Sequence, residues 1–382
     1  MTTSPIPIPA CKHFTGYKPC FPGESCLEEC VQCEPIGTRI LIVNLDAMGN
    51  VLVTTSLLPA LKRKYPESTV SWITLKNAAP LLQENPLVDR VYLWEPESWL
   101  ILGQMAFDLV LNVDKSPRSC AFTMGLRAAE RRGFGLDENG KIIPLNTEAL
   151  ENYRLGLDDH LKFRVNQKTV PQLQCEQFGL AFTRDEYTLV LTPEEHAYCI
   201  EFGRQHGSAA GDLTVGFNTG CSELYPNKKM TVEQHVMLIE QLSALPGIRL
   251  LLLGGPEDTI RNAEISRRVG DKVLNTPTTE GVRRGLCYIN LCDVVISGDS
   301  FGMHAAIGMK KEIIVWFGVS CWTEIDLFDR GIKLIPKGLA CSPCWKRACP
   351  FNLECIQQID LPAIVRRVQE VTAQRAGSSV AG

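Results

Sequence analysis

The chain has 382 residues, too many for one ordinary core and enough for two domains of common size. Hydrophobic residues make up 45% and charged residues 21%, a globular composition, and the net charge of −4 offers no basic field for nucleic acid. No apolar run approaches the roughly 20 residues that cross a bilayer. The start, MTTSPIPIPACKHF, lacks a charged segment leading into an apolar one, so a cytoplasmic protein is expected.

Residues 1–36 read as a cysteine-rich extension. Behind it, TRILIVNL (38–45) is a continuous apolar run of strand length, as expected of a strand buried on both faces. A helical pattern follows, with Leu57, Leu58 and Leu61 on one face and KRKYPES at its end. TVSWITL (69–75) is a second strand, NAAPLLQENP is compatible with a helix, and VDRVYLW and FDLVLNV repeat the strand theme. Strands alternating with helices predict a parallel sheet with crossover helices.

Residues 145–212 are polar and mixed, but TPEEHAYCIEFGRQHG within them reads as a helix with Pro193 in its first turn. The alternation then restarts. LTVGFNTG is a strand, VEQHVMLIEQLSAL a helix, and IRLLLLGGPED a strand running into a glycine turn. DVVISGDS and EIIVWFG are two more strands, and LPAIVRRVQEVTAQRA (361–376) closes the chain as a helix. The expected architecture is α/β, with domains at 37–207 and 208–338 divided near GSAAGD. A cysteine cluster and closing helix at 339–382 are expected to pack back on the N-terminal domain.

Three strand-end turns in the second half suit a nucleotide. DVVISGDSFGMHAAIG joins a buried strand to a helix through Gly298, and ligands collect at the carboxyl ends of strands in open α/β sheets. Ser300 and the free amides of the helix start suit a diphosphate, and Asp299 suits a ribose hydroxyl; the plainer alternative is that both merely cap the helix. In LTVGFNTGCSELYPNKKMTVEQ, Lys228 can neutralise a leaving diphosphate, although two loop lysines are otherwise ordinary surface. LLLLGGPEDTIRN places Glu257 to accept hydrogen bonds from a base or ribose. No GxGxxG fingerprint or P-loop is present, which disfavours a dehydrogenase or an NTPase.

The order of RILIVNLDAMGN, GCSELYPNKKMTVEQ, LLLLGGPED and VVISGDSFGMHAAIG resembles glycosyltransferase family 9, the ADP-heptose:lipopolysaccharide heptosyltransferases, over roughly residues 38–360. The GDSFGMH segment is the most specific part. The resemblance implies a GT-B fold, two Rossmann-like domains facing a cleft, and an inverting transfer without a catalytic metal. It implies ADP-heptose as donor and a hydroxyl of a cell-surface glycan, protein or metabolite as acceptor. It also implies donor-binding roles for Thr219, Ser222, Lys228, Glu257, Asp299, Ser300, Gly302 and His304; His304 would otherwise be a packed helix histidine. The family reads glycine–aspartate where this chain has Gly49 and Asn50, and that aspartate is its general base. Asparagine cannot take up the proton. Asp46, at the same strand end, is the expected replacement, with Asn50 orienting the acceptor or a loop and Lys228 completing the catalytic set. The plainer reading gives Asp46 a structural hydrogen bond.

Sixteen cysteines are the compositional oddity, and they cluster. Cys341, Cys344, Cys349 and Cys355 supply four thiolates within 15 residues, a set suited to structural zinc. By resemblance, relatives that modify autotransporter proteins bind iron through such cysteines. In the head, Cys26, Cys30 and Cys33 match the spacing that holds an Fe–S cluster in radical SAM enzymes, and with Cys20 they form a second candidate site for zinc or Fe–S. The two groups could share one site, or all could be free thiols. Competing functions are an Fe–S or radical SAM redox enzyme, a sugar-nucleotide epimerase, and a nucleotide-sugar-binding protein that has lost its base. Membrane contact is at most peripheral, through RRVQEVTAQR.

Overall fold

The computed structural model describes residues 8–380 apart from 24, 28–29, 31 and 208–210, with the backbone alone at 376–380. Its strands are β1 (Thr38–Val43), β2 (Ser68–Thr74), β3 (Arg90–Leu93), β4 (Ala106–Asn112), β5 (Arg127–Leu136), β6 (Ile142–Pro144), β7 (Leu213–Asn218), β8 (Ile248–Leu253), β9 (Leu274–Asn275), β10 (Val294–Gly298), β11 (Glu312–Trp316) and β12 (Gly331–Leu334). They form two sheets, ordered β3-β2-β1-β4-β5-β6 and β12-β11-β10-β7-β8-β9. All neighbours run parallel except β5 and β6, which form an antiparallel pair. Ile40 to Val43 are wholly buried, as the unbroken apolar run of β1 requires of a strand covered on both faces.

Strand order fixes where a ligand can sit. It reverses between β1 and β4 in one half and between β7 and β10 in the other, so the crevices open beyond the carboxyl ends of these four strands. One apolar cluster runs from Ile40, Val51 and Leu52 in the first half to Leu251, Met303 and Phe317 in the second. Helix Met48–Thr54 packs directly on helix Phe301–Gly308. These are the two Rossmann-like domains of the GT-B arrangement, facing each other across a cleft.

Two expectations about domain limits are corrected. Helix Pro193–Gln205 begins with a capping box in which Thr192 Oγ1 accepts from the Glu195 amide and Glu195 accepts from the Thr192 amide. It then packs on helix Val282–Asn290, where Phe202 and Tyr288 rings lie 5.0 Å apart and Arg283 reaches Glu195 at 2.7 Å. By packing, this helix belongs with the second half, although a cut at 207 leaves it with the first.

The closing helix, Leu361–Val380, does not return to the N-terminal domain. Ile364 and Val368 are buried in the cluster of Leu238, Leu242 and Ile314, and Arg367 donates to Glu312 at 2.7 Å. The shared cysteine site falls with it. The head is tied to the edge where β2 and β3 begin, through Lys12 to Asp89 at 3.1 Å and Arg90 to the Lys12 carbonyl. The C-terminal cysteines lie instead beside Gly318 and Val319, beyond β11. Two open sheets also leave the radical SAM reading without a barrel to support it. Among the described residues no helix is long and apolar enough to cross a membrane.

Candidate active site

The donor side is assembled at the ends of β7 and β10. Asn218 ends β7 and donates through Nδ2 to the hydroxyls of Ser297 and Ser300, each at 2.9 Å. A Cβ on Gly302 would lie 2.5 Å from the Asn218 side chain, so only glycine lets the helix start approach this closely. Ser300 therefore spends its hydroxyl on Asn218 and makes no cap, leaving the first amides of helix Phe301–Gly308 for a ligand.

Asp299 does not cap either. Its Oδ2 accepts from Lys228 Nζ at 2.7 Å, and both side chains are 12% exposed. Burial works to raise the Asp299 carboxyl, but the Lys228 ammonium outweighs it and holds it below its ordinary value. His304 Nε2 lies 4.0 Å from Asp299 Oδ1. Its imidazole packs over Gly49 of the other domain, where a Cβ would come within 2.8 Å of the ring.

Lys228 has further company. Its ammonium lies 4.6 Å from the Trp345 ring centroid and 5.3 Å from that of Tyr225, while its carbonyl accepts from Trp316 Nε1 at 2.9 Å. The structure thus brings Lys228, Asp299, Ser300, Gly302 and His304 together. Thr219 is buried away from them, donating to Asn262 at 2.5 Å. Ser222 and Glu257 are exposed on the rim. Beside Glu257 it is Asp258 that turns inward, accepting from the Gly255 amide at 3.0 Å.

On the acceptor side Asp46 follows β1, and its half-exposed carboxylate is held by Arg118. Asn50 Nδ2 reaches the Asp46 carbonyl at 3.5 Å, so it secures the turn that carries Asp46. A residue missed in the sequence, Asp114, stands just beyond β4. It accepts from Asn44 Nδ2 at 2.7 Å and from the Leu45 amide at 2.5 Å. Desolvation, with the Asp46 charge adding to it, pushes its carboxyl up to about 7 against these donors. Its place at a switch strand was the available signal.

No family model matches the chain. It is 22% identical over 306 residues to lipooligosaccharide heptosyltransferase 2 of Haemophilus influenzae, covering 73% of this chain and 83% of that protein. Against the lipopolysaccharide core heptosyltransferase OpsX of the same organism it is 21% identical over 288 residues, covering 72% and 77%. Among solved structures, a glycosyl transferase family 9 protein from Veillonella parvula superposes with a TM-score of 0.70 at 17% identity, covering 88% of this chain and 98% of that one. The chain is heptosyltransferase-like. Its relatives in sequence are heptosyltransferases, and its structural neighbours include E. coli ADP-heptose lps heptosyltransferase II, with a TM-score of 0.63 at 15% identity over 89% of this chain and 100% of that one.

Another neighbour of this heptosyltransferase-like chain is the iron-containing heptosyltransferase TibC, with a TM-score of 0.54 at 11% identity, covering 88% of this chain and 77% of that one. Cys341, Cys344, Cys349 and Cys355 do line one pocket, and burial together with the other three thiols raises Cys355 to about 11. In the head, Cys20, Cys26 and Cys30 lie within electrostatic reach of one another, and Cys33 hydrogen-bonds Cys11. Four thiols suit a soft metal chemically. Among the described residues no group of three or more His, Cys, Asp or Glu side chains is arranged to hold an ion. Cys355 packs its sulfur on Gly318, while Cys20, Cys33 and Cys341 are exposed.

Proposed function

We propose that the protein is an inverting heptosyltransferase of the cytoplasm, moving a heptose from ADP-heptose to a hydroxyl of a cell-surface glycan, protein or metabolite. The observation that carries this is the Lys228–Asp299 pair beside the uncapped start of helix Phe301–Gly308, whose His304 packs on Gly49, three residues from Asp46. As the acceptor oxygen bonds the anomeric carbon, the bond from that carbon to phosphate breaks and its electron pair leaves with ADP. Lys228 and the helix amides stabilise that charge. Asp299 keeps Lys228 aimed. The acceptor proton passes to the Asp46 carboxylate, a contribution of roughly 10²–10⁴-fold. Asp114 holds the loop on which Asp46 stands, and Asn50 fixes its turn. No step runs through the cysteines.

Asn50 favours a second reading, a protein that binds the nucleotide sugar without transferring it. Thermal shift against ADP-heptose and UDP-sugars, followed by single-turnover transfer with wild type and Asp46→Asn, separates the two. The transferase reading expects stabilisation by the ADP-sugar and a rate about 10²–10⁴-fold lower in the variant. Binding with no wild-type transfer to any acceptor supports the second reading. Equal rates in both proteins sink Asp46 as the base.

A further inference from the structure

Trp345 lies within the cysteine-bearing segment, yet its geometry ties it to the donor site. Lys228 Nζ is 4.6 Å from its ring centroid and Lys162 Nζ, from the acceptor domain, is 5.3 Å away. The two ammonium groups, one from each domain, are thereby kept within about 10 Å of each other. Each is parked on a buried carboxylate: Lys228 on Asp299 at 2.7 Å, and Lys162 on Glu324 at 3.6 Å.

The residue is held against its own preferences. Its φ of +48° is in the left-handed region, rare for a large side chain. Its indole nitrogen is buried without an oxygen acceptor, with the Cys321 thiol beside it. The backbone fixes it there. The amides of Cys344 and Trp345 both donate to the Val319 carbonyl, at 3.0 and 2.9 Å, and Asn227, next to Lys228, donates to the Lys346 carbonyl at 2.8 Å. A large side chain held at positive φ beside a reacting charge marks a functional position rather than a packing one.

We propose that Trp345 is a positioning residue, the platform on which Lys228 and Lys162 are held for the leaving diphosphate. This rests on the donor reading above and assigns part of the site to the segment 341–355. On binding, the diphosphate replaces Glu324 as partner of Lys162 and joins Asp299 as partner of Lys228. Trp345 keeps both ammonium groups in place as the diphosphate arrives.

Calorimetric titration with inorganic pyrophosphate tests this without any sugar. Trp345→Ala and Trp345→Leu should weaken pyrophosphate binding about 3- to 30-fold, the range of one or two cation–π contacts. Trp345→Phe, which keeps an aromatic face, should stay within about threefold of wild type. Lys162→Met, at a partly buried position, should lose affinity similarly. The proposal is overturned if Leu serves as well as Phe, if Ala leaves affinity intact, or if wild type does not bind pyrophosphate. Should wild type bind pyrophosphate yet transfer no sugar, the transferase reading fails while the order of the three variants still decides the role of Trp345.

Discussion

Burial holds the His304 imidazole down to about 4, with Asp299 opposing the shift and Lys228 adding to it. A histidine free in the unfolded chain takes up a proton near 6.5. Above that pH both states are neutral and the folded state keeps its full stability. As the pH falls through 6.5 toward 4 only the unfolded chain gains the proton, so stability is lost over that window. At pH 5 the loss attributable to His304 should be about 2 kcal/mol. Because buried His235 behaves alike, the comparison must be with His304→Gln: urea unfolding at pH 7.5 and 5 should show wild type losing that much more than the variant. An equal loss in both proteins would show that His304 is not held neutral.

Elements with a strong local signature were readable from sequence, and those made by tertiary context were not. The apolar runs of β1, β2, β7, β8, β10 and β11 appear where the periodicity predicts them, and Pro193 opens a helix whose capping box is local chemistry. β5 escaped because its first half, Arg127 to Arg132, is mostly charged and only Gly133 to Gly135 are deeply buried. Lys228, Asp299 and Ser300 were legible because strand-end turns announce themselves. Asp114 and Trp345 were not, because what they touch comes from segments far away in the chain. The closing helix was misplaced for the same reason: its amphipathic pattern gives a face but not a partner. A chain truncated after residue 360 should forfeit about 3–6 kcal/mol from Ile364 and Val368 alone. Hydrogen exchange should then show protection lost around Val232–Ser243 and β11 while β1 and β2 keep theirs. Loss confined to the first sheet would contradict the placement.

For the whole molecule, each sheet keeps an apolar cluster of its own, but the cluster on their facing sides spans both halves, so opening one half strips apolar cover from the other. Differential scanning calorimetry should therefore give a single transition, and ADP at about 100 times its Kd should stabilise both halves together by about 2.7 kcal/mol. Two resolved transitions, with only one responding to ADP, would count against a common core. One close point of that union is the imidazole of His304 seated on the bare backbone of Gly49. Helix Phe301–Gly308, which meets the donor, and the turn of Asp46 and Asn50, which meets the acceptor, can therefore shift only in concert. Free energies linked in this way are reciprocal. Whatever factor a bound donor adds to acceptor affinity, a bound acceptor must return to the donor, so each substrate acts as an effector of the other within a single chain.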